Sequence, residues 1–225
     1  MTDFIPQTAP IEEIAGEPAI ESARLNLEWI KHRFAAPPVW MPESTDEHRL
    51  TLFNVTEFKH AAVLIALVQR EHGLNVLFTL RTAHLTQHAG QISFPGGRAE
   101  LQDQDAIATA LRETEEEIGL HQSQVEILGQ LPDYLTVTGY RVTLVVGAVQ
   151  ELPQLTSDQN EVADIFEVPL AFLMDGSNHQ RRAMSINMPE HQPIKRHFYA
   201  MPYHDYFIWG ATAGMIRNLF HFLRA

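Results

Sequence analysis

A chain of 225 residues that is 45% hydrophobic and 20% charged has the composition of a folded globular protein and is too apolar for wholesale disorder. The absence of cysteine removes disulfides, thiolate zinc sites, iron–sulfur clusters and cysteine nucleophiles, so any metal must be held by oxygen or imidazole. With 16 basic against 28 acidic residues, the net charge of -12 opposes duplex nucleic acid and anionic membrane, and an anionic substrate would need a local patch of cations.

The start, Met1-Thr-Asp-Phe-Ile-Pro, lacks a basic leader region, and the longest apolar run, Ala61 to Val68, is far short of the roughly 20 residues that span a bilayer. The expectation is a cytoplasmic protein. Six prolines punctuate residues 1–50, and between them Ile20 to Phe34 predicts one helix, so this part reads as an extension with one helix and a Pro-rich connector. Residues 51–225 then read as one domain. Ala61 to Leu67, apolar on both faces, and Val76 to Leu80 predict two buried strands joined by a tight turn at His72-Gly73. Gln91 to Phe94 predicts a short strand stopped by Pro95-Gly96-Gly97, after which Asp105 to Ile118 takes up helical period and Gly119 ends it.

Further strands are expected over Val125 to Leu128, Tyr140 to Val149 and Ile165 to Val168, with turn chemistry at Leu131-Pro132-Asp133. Pro169 to Asp175 predicts a short helix and Ile208 to Leu223 a longer one, with Ile216, Leu219, Phe220 and Leu223 at core spacing. Strands before and after a central helix, plus a terminal helix, make the fold α/β, a sandwich around a mixed sheet. Tyr206, Phe207 and Trp209 read as core, and Arg141, Lys195, Arg196 and His197 as solvated surface.

The chemistry concentrates in the central helix. At about 100° per residue, Ile107, Ala110, Leu111, Thr114 and Ile118 form its core stripe. Glu113 and Glu117 lie one turn apart at one edge, Glu116 points nearly away from the core, and Glu115 borders the other edge. Like charges at this spacing repel, and acids near a helix C-terminus oppose its dipole. Arg112 can offset Glu116 four residues on, but the Glu113–Glu117 edge has no helical partner. A divalent cation would supply one, and oxygen-only carboxylates suit magnesium or manganese beside substrate phosphates. A solvated acidic face is the other reading of the same residues.

The segment Gly97 to Leu120 resembles the Nudix box, G-x5-E-x7-R-E-U-x-E-E-x-G-U with U aliphatic, most closely over Arg112-Glu113-Thr114-Glu115-Glu116-Glu117-Ile118-Gly119-Leu120. Asp103 stands at the first Glu of the pattern, the stretch from Asp103 to Arg112 is one residue longer, and Thr114 replaces an aliphatic residue. The preceding stretch, Leu80-Arg-Thr-Ala-His-Leu-Thr-Gln-His-Ala-Gly-Gln-Ile-Ser-Phe-Pro-Gly-Gly97, resembles the added signature of the Nudix coenzyme A pyrophosphatases, as do Ser157 to Val162 and Tyr206 to Ala213.

The resemblance implies a Nudix-type α/β/α sandwich with a mixed β-sheet and hydrolysis of the diphosphate of coenzyme A and its derivatives. It implies Mg2+ or Mn2+ held by Glu113 and Glu117, with Glu116 as a further ligand, and Glu116 or Glu161 as the proton acceptor, with Arg112 as a third catalytic candidate. Arg81, His88, Gln91, Ser93, Gly96 and Gly97 are the expected substrate-binding residues, with His84 and Arg98 adding to the cationic patch. The expected partner is a small molecule, coenzyme A or a derivative, with no nucleic acid and no membrane, and with a homodimer possible. Two other functions fit the box: a Nudix hydrolase of another nucleoside diphosphate derivative such as ADP-ribose or NADH, and a non-catalytic Nudix-fold binding module.

Overall fold

In the computed structural model, which describes residues 5–43, 57–83, 90–186 and 194–225, the long apolar run becomes the centre of a mixed sheet. Strand β2 (Lys59–Arg70) runs parallel to β7 (Tyr140–Val149) and turns at Glu71-His72 into antiparallel β3 (Gly73–Arg81). β7 pairs with β6 (Glu126–Leu135), β3 carries β4 (Ile92–Ser93) and β8 (Val162–Pro169), and β5 (Gly96–Arg98) lies along the start of β2.

Side chains alternate across a strand, so β2 presents Ala62, Leu64, Ala66 and Val68 to one hydrophobic layer and Ile65 and Leu67 to another. The first layer holds Ala110 and Ile118 of helix α2 (Ala106–Ile118); the second holds Ile216, Leu219 and Phe220 of helix α4 (Gly210–Arg224). Residues 64 to 68 are fully buried, which is why the sequence shows no polar alternation there. The order is helix, sheet, helix, the expected α/β/α sandwich. Helix α2 starts where Asp105 accepts from the Ala108 N–H at 2.8 Å and ends at Gly119, whose φ of 71° is left-handed.

Four local expectations are revised. Ser22–Arg24 is only a 3₁₀ turn, and α1 (Leu27–Ala35) begins after Asn26, whose side chain accepts from the Trp29 N–H at 2.9 Å. Leu131-Pro132-Asp133 does not turn the chain but lies inside β6, where the register against β7 shifts between Leu131 and Tyr134; the irregularity accommodates a proline without an N–H. The short helix is α3 (Leu170–Leu173), and Ile208 belongs to a strand rather than to the last helix. That strand, β11 (Tyr206–Trp209), joins β1 (Ile11–Ile14), β9 (Gln180–Ile186) and β10 (Ile194–Tyr203) in a second, antiparallel sheet of order β1-β9-β10-β11.

Residues 5–43 are built into this body. Besides β1, they contribute Ile20, Leu25 and Ile30 to the core, and Arg33 donates to the Phe222 carbonyl at 3.1 Å. Arg217 on α4, 2% exposed, fixes two of their acids: it donates to the two Glu17 oxygens at 2.9 and 2.6 Å and to Glu43 Oε1 at 3.0 Å. It also meets Nδ1 of His179 at 3.1 Å, so the ring proton sits on Nε2, 2.9 Å from the Leu173 carbonyl. Burial, with the adjacent Arg217 charge, pushes His179 down to about 4.

An acid-sensitivity follows. An unfolded histidine titrates near 6.5, so as pH falls from 6.5 to about 4 the unfolded chain takes up a proton that native His179 refuses, and stability declines. The full difference corresponds to roughly 3 kcal/mol. Glu17, held at about 2 chiefly by its bonds to Arg217, continues the loss below 4.5. Denaturant unfolding between pH 8 and 4 should show a shallower upper acid branch for His179→Gln than for wild type; parallel branches would refute the assignment.

Candidate active site

Helix α2 lays its acidic edge against the start of β5. Glu117 is 4% exposed; its Oε2 accepts from the Gly96 N–H at 3.1 Å and its Oε1 lies 3.5 Å from Arg81 Nη1. Glu113 packs on Gly97, where an added Cβ would stand 2.4 Å from Glu113 Oε2, so only glycine admits the carboxylate this closely. Glu161, in the turn before β8, is half exposed and lies 3.8 Å from Arg81 Nη2. Arg81 therefore stands between two of the predicted acids, one on α2 and one at β8.

Burial lifts the Glu117 carboxyl to about 7, with Glu113 and Glu161 adding to the effect against the Gly96 bond and Arg81. Burial also raises Glu113, which Arg112 partly offsets. These carboxylates are crowded in a place that disfavours their charge. That is the electrostatic condition a divalent cation relieves, and the donors are all oxygen, as Mg2+ or Mn2+ requires. Among the described residues no three acidic or imidazole groups already form a finished ligand set, so the fit lies in donor chemistry and charge. Glu116 points outward with its side chain 60% exposed, as the helical wheel indicates.

Arg112 is more heavily used than its place in the sequence suggests. Besides Glu116 at 2.9 Å it reaches Glu113 Oε1 at 3.0 Å, so the acidic edge does have a helical cation. It also donates to the Arg98 carbonyl at 3.1 Å and grips both oxygens of Asp103, at 2.9 and 3.0 Å. Asp103 further accepts from the Glu100 N–H and the Thr109 hydroxyl, at 2.9 and 3.0 Å. The Arg112 guanidinium holds this carboxyl well below the usual range. Asp103 thus anchors the arginine, and Arg112 bridges the Arg98 carbonyl to Glu113 and Glu116. Asp103→Ala should cost about 1.5 to 3 kcal/mol, the worth of charged hydrogen bonds, and lower activity without removing it. Thermal unfolding and rate assays check this; a variant as stable and active as wild type would contradict it.

A cavity of about 870 Å³, within the range of small-molecule sites, opens at Arg81, Gly96 and Gly97, the residues that Glu117 and Glu113 meet, although neither glutamate lines it. Arg81, Gln91, Ser93, Gly96 and Gly97 all line it, which brings together five of the expected substrate-binding residues. His88, like His84, lies outside the described residues. The opposite wall comes from the second sheet, the start of α4 and the N-terminal segment, and the sequence reading missed it. Arg196 and His197, expected on the surface, line the cavity, as does Trp209, whose ring meets Phe198 edge-on at 5.4 Å. Tyr206 is packed as expected, stacked on Phe166 with its hydroxyl donating to Asp164 at 2.6 Å. Arg141 pairs with Asp133 at 3.5 Å, away from this wall.

Among the described residues no helix is long and apolar enough to cross a membrane. The sequence matches the NUDIX domain over residues 58–186. It is 43% identical over 162 residues, 72% of this chain and 81% of the relative, to the protein named Uncharacterized Nudix hydrolase NudL of Escherichia coli (strain K12). To the protein of that name in Escherichia coli O139:H28 it is 38% identical over 201 residues, covering 89% and 96%. Of solved structures, the MutT protein from Methanosarcina mazei Go1 aligns over 52% of this chain and 83% of its own, with a TM-score of 0.42 and 23% identity. The domain match spans more than half of the chain and takes in both the acidic helix and the glycine loop packed on it, so the chain belongs to the Nudix hydrolase family.

Proposed function

We propose that the protein hydrolyses the diphosphate of coenzyme A and its derivatives, giving 4'-phosphopantetheine and adenosine 3',5'-bisphosphate. One observation carries this reading. The stretch Leu80 to Gly97, which resembles the added signature of the coenzyme A pyrophosphatases, sends Arg81, Gln91, Ser93, Gly96 and Gly97 to a single cavity, and three of them, Arg81, Gly96 and Gly97, also meet Glu117 or Glu113, which do not line it themselves. A Nudix hydrolase of ADP-ribose or NADH would share the box without needing that stretch.

In this reading Glu113 and Glu117 hold Mg2+ or Mn2+, with Glu116 as a further ligand. When bound, such an ion neutralises phosphoryl oxygens and makes a water molecule more acidic. The chain supplies the rest. Arg81 sets a guanidinium beside the acids, where it can donate charged hydrogen bonds to a diphosphate. Gly96 and Gly97 let the loop pass close to the ligand. Arg112 orients Glu113 and Glu116. Attack by water at phosphorus needs a carboxylate to take its proton, and Glu161, half exposed beside Arg81, and Glu116 are the two acids for that role. Displacement is direct and forms no bond between substrate and protein.

Initial rates with magnesium on coenzyme A, an acyl thioester of it, ADP-ribose and NADH test the reading. Coenzyme A and its thioester should be the fastest. Faster cleavage of ADP-ribose or NADH would reassign the substrate, and no turnover on any of them would point to the binding module.

A further inference from the structure

The cavity is unevenly charged. On the box side Arg81 and the exposed Arg98 face it, next to acids that would be neutralised by a cation. At the other end the wall is made by the N-terminal segment with β9, β10 and α4, and there Glu13, Glu17 and Glu43 stand among Arg181, Arg196 and Arg217, while His197 is bonded to Glu12 at 2.8 Å. Arg217 is bonded to Glu17 and Glu43, and Arg181 Nη1 lies 3.3 Å from Glu13. Ala15, Tyr199 and Met215 fill in uncharged surface, with Arg217 stacked over the Tyr199 ring at 4.8 Å. The segment is held in place by its backbone: Ala15 N–H donates to the His179 carbonyl at 2.9 Å and Gly16 N–H to that of Gly176 at 3.1 Å. This wall is preorganised rather than a loose tail.

A phosphate at this end would meet three carboxylates, Glu13, Glu17 and Glu43, against three arginines, Arg181, Arg196 and Arg217, a balanced set that offers no net attraction. A neutral chain of amides and a hydroxyl meets both donors and acceptors there, at no cost in uncompensated charge. We propose that this end of the cavity receives the pantetheine arm of coenzyme A, and that residues 13–17 and Glu43 of the N-terminal segment are a subsite for it. The adenosine bisphosphate half then lies on the Arg81 and Arg98 side. This rests on the coenzyme A reading and gives the N-terminal segment a part in substrate choice.

The test is calorimetric titration of the full chain, in magnesium, with 4'-phosphopantetheine and with adenosine 3',5'-bisphosphate. Ala15→Trp, which fills the subsite, should weaken 4'-phosphopantetheine at least about tenfold, or roughly 1.4 kcal/mol, and leave the bisphosphate within about twofold. Arg181→Glu changes a half-exposed side chain outside the core, so it keeps the test decisive if the tryptophan variant fails to fold. It should leave bisphosphate affinity within about twofold, whereas a bisphosphate seated there would be repelled about tenfold or more. Loss of the bisphosphate in either variant, or no loss of 4'-phosphopantetheine in a folded Ala15→Trp, overturns the placement even if wild type cleaves coenzyme A. A wild type that binds neither half and cleaves no coenzyme A overturns the functional reading as well.

Discussion

Glu117→Gln should lower turnover by about a hundredfold or more and leave the protein folded. The substitution keeps the volume and an oxygen able to accept from the Gly96 N–H, but removes the charge that would hold a divalent cation. Losing one such electrostatic element in an enclosed site costs about a hundredfold to a thousandfold in rate. Because Glu117 is buried and faces Glu113 and Glu161, neutralising it relieves repulsion, so stability without metal should be unchanged or slightly higher. Magnesium at a hundred times its dissociation constant should stabilise wild type by about 2.7 kcal/mol, and Glu117→Gln and Glu113→Gln by clearly less. Equal magnesium shifts in all three proteins would refute the ligand assignment.

Arg217→Met should be among the most destabilising single changes. It removes the cation from the Glu17 and Glu43 pair while keeping most of the buried stem, and breaking such a pair typically costs about 3 to 5 kcal/mol. The two glutamates are 21% and 29% exposed, which favours the lower figure. For a protein of this size that lowers Tm by roughly 6 to 12 °C. Adding Glu17→Gln and Glu43→Gln should recover part of the loss, because it removes the uncompensated charges. A single variant that melts with wild type would show that this network contributes little to holding residues 5–43 on α4.

The central sheet and the acidic helix were legible because their signals are local. The unbroken apolar run of β2 reports burial on both faces, and the wheel of α2 places Glu113, Glu116 and Glu117 much as they stand. The second sheet was not legible, since β1 pairs with β9 about 170 residues away, Ile11 opposite Arg182, and no local pattern encodes that register. The same long-range pairing hid the far wall of the cavity. Asp103 is legible in sequence only as a departure from the motif, because its contacts depend on geometry: its carboxylate reaches Arg112 nine positions on. Pro132 misled for a related reason, since a shifted register lets a strand pass through a residue that usually marks a turn.

The central claim concerns which bond breaks. Coenzyme A incubated with the protein and magnesium, then resolved by chromatography with mass detection, should give 4'-phosphopantetheine and adenosine 3',5'-bisphosphate in equal amounts and no orthophosphate. An acyl thioester should give acyl-phosphopantetheine with the thioester intact, since water attacks phosphorus and the thiol end takes no part. Orthophosphate, dephospho-coenzyme A or a free acyl acid as the main product would contradict hydrolysis of the diphosphate.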